Sequence, residues 1–159
     1  MCKNQLVKRG LIRIAEIHTE KGVVKLMEAT ERAVHILGEM GVKLEKGKKE
    51  SLEHEYWKTQ VKTALEKKGF EVSEEKDFVD LVAIKGEDKI ALEVETGKSD
   101  PVRNLSRDIM GDYTRIIIVA LSEPAKLSIE KALQKSGLLA DRRVMLCLIK
   151  DIEHVLENQ

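Results

Sequence analysis

Residues 78–99, FVDLVAIKGEDKIALEVETGKS, constrain the fold of this chain more than any other stretch. Two runs, 78–84 and 89–96, alternate apolar and polar residues, and the KGED between them is a turn signal, which predicts a β-hairpin. With those four residues in the turn, Ile84 faces Lys89 and Asp80 lands opposite Glu93. Side chains alternate along a strand, so Glu95 shares that face. The other face carries Val79, Leu81, Ala83, Ile90, Leu92 and Val94 and is expected to be the core side. Like charges directly opposite each other destabilise a ladder by roughly 0.2–1 kcal/mol, so these carboxylates need a reason to converge. A divalent cation, Mg²⁺ or Mn²⁺, is the simplest, because hard cations take oxygen ligands. A solvated acidic sheet face is the alternative.

The 159 residues suffice for one domain or a domain with an appendage, and 42% hydrophobic with 35% charged residues supports a buried core. Formal net charge is zero, so any nucleic-acid-binding surface must be local. Cys2 and Cys147 are too far apart for a disulfide framework or zinc spacing, and Cys147, inside VMLCLI, is expected in the core. Neither a signal peptide nor an apolar run of membrane length is evident, which leads us to expect a cytoplasmic protein that does not engage a membrane. TGKS invites a phosphate-binding-loop reading, but the glycine required five residues before Gly97 is Leu92. The four histidines lie on separate elements without metal-ligand spacing; only His54 falls near the proposed site.

Three segments are expected: 1–41, a hairpin plus helix; 42–50, a charged, glycine-containing linker; and 51–159, the main domain. In the first, strands 11–18 and 23–27 flank the turn TEKG, and Thr30 caps a helix over 31–40 with Ala33, Val34, Ile36, Leu37 and Met40 on its apolar side. In the main domain Ser51 opens a helix to Lys68, with Glu53 and Glu55 in its first turn and Trp57, Val61, Ala64 and Leu65 facing inward. A strand at 70–73 precedes the hairpin. Asp100 as N-cap and Pro101 at the first position begin a helix over 102–110, carrying Arg103 and Arg107 one turn apart. The near-continuous apolar run 113–121 predicts a central strand, followed by a helix over 122–136, a strand over 143–150 and a short helix over 152–157. A meander followed by crossover units predicts a mixed α/β sheet with helices on both faces.

This order, with an acid in the second strand and an acidic pair in the third, resembles the PD-(D/E)xK nuclease superfamily over residues 51–150. That group includes archaeal Holliday-junction resolvases and many restriction enzymes. The string ALEVETGKSD is also similar to a branch of archaeal restriction-endonuclease-like proteins, some fused to winged-helix segments. The resemblance implies a restriction-endonuclease-like core and a Mg²⁺-dependent DNA endonuclease, commonly a homodimer. It makes Asp80 and Glu93 metal ligands and assigns Glu53 or Glu55 to the acid these nucleases often carry on their first helix. Many members have lysine where this chain has Glu95, although some restriction enzymes resemble it in having glutamate. Lys98 is then the candidate for orienting the attacking water, and Glu95 or Lys98 would position or deprotonate it. Lys98 and Arg103 would hold the backbone phosphate; otherwise Arg103 is an ordinary surface arginine.

The N-terminal hairpin and helix resemble the last part of a winged-helix domain, with TEKG as the wing and Lys8, Arg9 and Lys21 available to phosphates. The two preceding helices of such a domain are missing. Either the start is internal to a longer protein, or the hairpin serves as a dimer contact or packing appendage. Two functions follow: a metal-dependent endonuclease, and a non-catalytic DNA-binding or regulatory module that keeps the nuclease-like fold.

Overall fold

A computed structural model describes residues 3–42, 51–76 and 78–157. The chain divides into two compact units, Met1–Glu55 and Tyr56–Gln159. Cys2 and residues 43–50 of the expected linker lie outside the described residues.

In the first unit a short helix α1 (Lys3–Lys8) leads into an antiparallel hairpin of β1 (Ile12–Thr19) and β2 (Gly22–Ala29), then α2 (Glu31–Glu39). The register pairs Arg13 with Glu28 and Glu16 with Lys25, and both pairs form salt bridges, so charge complementarity reinforces the ladder. Thr30 is the N-cap expected of it: its hydroxyl accepts from Ala33 N–H at 3.3 Å and donates to the Gly10 carbonyl at 2.6 Å. The apolar stripe expected on α2 is only partly used, for Ala33 is buried while Ile36 and Met40 are exposed. Lys21 sits exposed at the hairpin tip.

The helix α3 (Leu52–Lys67) begins at Ser51, whose hydroxyl accepts from His54 N–H at 3.2 Å. Val61, Ala64 and Leu65 are buried and Trp57 packs against the same core, as their spacing predicts. The second unit is built on a five-stranded sheet in the order β3 (Glu71–Lys76), β4 (Val79–Lys85), β5 (Asp88–Glu95), β6 (Arg115–Ala120), β7 (Val144–Leu148). The first three form an antiparallel meander; β5, β6 and β7 run parallel, joined through α4 (Pro101–Ile109) and α5 (Glu123–Ser136). A short α6 (Ile152–Glu157) ends the described chain. The fold is thus α/β, with a mixed sheet flanked by helices.

The hairpin register is the expected one, Ile84 with Lys89, but the turn is tighter. Lys85 and Asp88 pair as the last rung, leaving Gly86 (φ +60°) and Glu87 to turn the chain; glycine tolerates that left-handed conformation without strain. β3 is longer than its sequence pattern indicates, because pairing with β4 extends it to Lys76.

Expecting a single core face on this hairpin was too narrow. Leu81, Ala83, Ile90, Leu92 and Val94 pack with Val61 and Leu65 of α3 and Ile152 and Leu156 of α6. Val82 and Ala91, on the opposite face, pack with Leu105 of α4 and Ile129 and Leu133 of α5. Val79 joins this second cluster, not the first. Phe78, expected as the first strand residue, lies outside β4 with φ +70°.

One corner fixes the end of α4. The Arg143 guanidinium donates to the carbonyls of Ile109 (2.9 Å), Gly111 (3.3 Å) and Tyr113 (3.4 Å) and pairs with Asp141 at 2.8 Å. Arg143→Ala leaves three carbonyls to find new donors and should lower the thermal midpoint by roughly 3–6 °C. A scan by circular dichroism checks this; an unchanged midpoint would mean water replaces the guanidinium at no cost. Among the described residues no helix is long and apolar enough to cross a membrane.

Candidate functional site

The ladder between β4 and β5 stops at Leu81–Leu92, and one step further the register sets Asp80 beside Glu93. There a side chain replaces a backbone acceptor: Asp80 Oδ2 takes the Val94 N–H at 2.8 Å. Asp80 is half-buried, whereas Glu93 and Glu95 are 5% and 2% exposed. The solvated acidic face considered from the sequence is therefore absent from β5, where α4 and α5 cover both glutamates' face.

Helix α4 brings two residues to Glu93. The Arg107 guanidinium donates from Nη2 to Glu93 Oε1 at 2.7 Å and from Nε to Asp108 Oδ1 at 3.0 Å. Asp108 is only 1% exposed, and its Oδ2 has no hydrogen-bond partner among the described residues. Burial pushes the Glu93 carboxyl up to about 10; the Asp80 and Asp108 carboxylates add to the rise and Arg107 opposes it. Burial also raises Asp108, while Glu93 and Arg107 hold it back. The two buried acids share one environment and titrate as a pair, both pushed toward the protonated form by burial.

Glu95 is engaged differently. The Ser99 hydroxyl donates to its Oε2 and Asn104 Nδ2 to its Oε1 at 3.1 Å, so it ties both the loop after β5 and the first half of α4 to the sheet. Asp100 caps α4, accepting from Val102 and Arg103 N–H at 3.1 Å each, with Pro101 at the first helical position. Gly97 has φ +82°, and a Cβ there would lie 3.2 Å from Ala125 Cβ at the start of α5. This tight loop leaves Lys98 exposed; Arg103, in the first turn of α4, is also exposed.

Phe78 borders the site. Its side chain is 84% exposed and Arg107 Cζ lies 6.0 Å from its ring centroid. Left-handed backbone costs a non-glycine residue roughly 1–2 kcal/mol, and here no burial of the ring offsets it.

Of the residues singled out from sequence, Asp80, Glu93 and Glu95 share one face, and Lys98 and Arg103 lie on the adjoining loop and helix start. Glu53 and Glu55 occupy the first turn of α3, and Lys8, Arg9 and Lys21 lie in the first unit. Sequence reasoning missed Asp108, Asn104 and the ion pair of Arg107. The available signal was the polar pair Asn104 and Asp108, one turn apart on α4 and flanking the apolar Leu105. Lys58, buried on α3 and not without a partner, was also missed.

Asp80, Glu93 and Asp108 supply the carboxylate oxygens that a hard cation takes as ligands. As the side chains stand, no group of three or more His, Cys, Asp or Glu among the described residues is arranged to hold a metal ion, and the positive charge at Glu93 is that of Arg107. No protein-family model, curated protein or solved structure matches the chain.

Proposed function

We propose that the second unit is a restriction-endonuclease-like domain that hydrolyses DNA phosphodiester bonds with a divalent cation, Mg²⁺ or Mn²⁺. The observation that carries this reading is the convergence of Asp80, Glu93 and Asp108, with Glu93 only 5% and Asp108 only 1% exposed. Buried, converging carboxylates work against folding, and perturbed groups of this kind cluster at functional sites. A bound divalent cation supplies an activated water and neutralises charge on the phosphate oxygens.

Asp80 and Glu93 are the ligands in this reading, with Asp108 the third acid within reach of Glu93. Glu53 or Glu55 keeps the role of the first-helix acid. Glu95 positions the loop 96–100 through Ser99, so Lys98 is presented to solvent beside the site. Lys98 orients the attacking water, and Arg103, one turn before Arg107, meets the DNA backbone. Lys21 at the hairpin tip is a further phosphate contact, and a homodimer would set two sites against two strands.

One observation favours the second reading, a DNA-binding or regulatory module without turnover. Arg107 already donates to Glu93, and each Glu95 oxygen already accepts a hydrogen bond, from Ser99 and from Asn104. Labelled duplex, single-stranded and four-way-junction DNA incubated with Mg²⁺, Mn²⁺ or EDTA separates the two. Metal-dependent cutting that Asp80→Ala and Glu93→Ala both abolish supports the nuclease. Binding without cutting leaves the module.

A further inference from the structure

Phe78 combines two features that folding alone does not reward: a left-handed backbone and a ring left 84% in water. Its neighbour Val79 is 1% exposed, so the chain turns sharply there, burying one side chain and projecting the other. Glycine or asparagine would adopt this conformation with less strain. The ring is nevertheless tied to the carboxylate site. Arg107 lies 6.0 Å from its centroid and donates to Glu93 at 2.7 Å.

We propose that Phe78 is a stacking platform for an unpaired nucleobase, and that the site therefore takes DNA with a locally single-stranded segment in preference to a continuous duplex. The inference rests on the DNA-directed reading above and adds its substrate class. Inside a duplex both faces of each base are covered by neighbouring bases, so an exposed ring can receive a base only where the strand is unpaired or the base is extruded. An aromatic ring with an arginine beside it offers both stacking and cation–π attraction, and this recognition tolerates any base. Arg103, one helical turn from Arg107, supplies charge for the adjoining phosphate.

The test uses the full chain carrying Asp80→Asn, so that DNA is cut far more slowly than it binds, with and without Phe78→Ala or Phe78→Trp. Affinities for a single-stranded oligonucleotide and for the blunt duplex of the same sequence are read by fluorescence anisotropy. A 2-aminopurine in the single strand reports stacking by quenching. With Phe78 present, the single strand should bind more tightly than the duplex and its probe should be quenched. Phe78→Ala should weaken single-strand binding roughly tenfold and abolish quenching, with duplex affinity unchanged; Phe78→Trp should restore both. Equal loss on both DNAs, or no loss on either, overturns the proposal, as does Phe78→Ala dissociating a dimer while DNA binding persists. If Phe78→Ala changes nothing while Asp80→Ala still abolishes cleavage in the parent chain, the nuclease reading stands and this one falls. A chain that neither binds nor cuts DNA overturns both.

Discussion

Glu93→Gln should make the metal-free protein more stable at pH 8 than the parent and remove most of the parent's decline in stability between about pH 5 and 9. Burial, together with Asp80 and Asp108, raises the folded-state carboxyl to about 10, whereas in the unfolded chain it titrates near 4.3. Below the unfolded value both states hold the proton, and the full stability is present. Above it the unfolded chain releases its proton while the folded protein retains it until the folded value is reached. Stability therefore falls as pH rises, by up to about 1.4 kcal/mol per unit. Glutamine keeps the neutral, hydrogen-bonding shape and has no proton to lose. Urea unfolding in EDTA at pH 5, 7 and 9 reads the effect directly; parallel curves for parent and variant would mean that Glu93 titrates normally. Added Mg²⁺ should act oppositely on the parent, because carboxylates bind metal in their deprotonated form, so its stabilisation should grow with pH and shrink in Glu93→Gln.

Asp80→Asn should separate fold from chemistry. Asp80 Oδ2 accepts the Val94 N–H where the β4–β5 ladder has ended, and asparagine retains an oxygen for that bond. Circular dichroism should therefore show a folded protein. The lost negative charge removes a proposed cation ligand. Even outer-sphere substitutions at metal sites cost about 10–100-fold, so cleavage should fall by more than about a hundredfold. Titration with Mn²⁺, followed by its electron paramagnetic resonance signal, should show weakened binding in parallel. Cleavage at the parent rate would remove Asp80 from the site and leave the hairpin carboxylates without the role proposed for them. Asp80→Ala loses both the oxygen and the charge, and so reports less cleanly.

Much of the architecture was legible because it depends on local chemistry. The hairpin register follows from two alternating runs with a turn between them, and it sets Asp80 beside Glu93 whatever else the chain does. Thr30, Ser51, Asp100 and Ser122 all accept hydrogen bonds from nearby backbone N–H groups, because an N-cap needs only a side-chain oxygen and the first turn of its own helix. The apolar run around Ile116 to Val119 reads as a strand buried on both faces, and parallel neighbours on either side bury it. Cys147 is in the core, where burial pushes its thiol up to about 11.

What the sequence determined by itself was therefore most of the elements, their caps and the hairpin register. The tertiary structure decided which faces meet. Nothing in the spacing of α4 shows that its Asn104, Arg107 and Asp108 will come to rest on the acidic face of β5, because residues nine and more positions apart are joined only when the crossover packs. The same packing decides that Glu93 and Glu95 are buried, which turns a pattern of charges into a raised proton affinity. Phe78 belongs with these. Its residue type and place in the alternation read as strand, and only the chain's turn into β4 places it in a left-handed conformation with its ring in water. Local patterns fix short-range geometry; burial and long-range contact are properties of the whole packed unit.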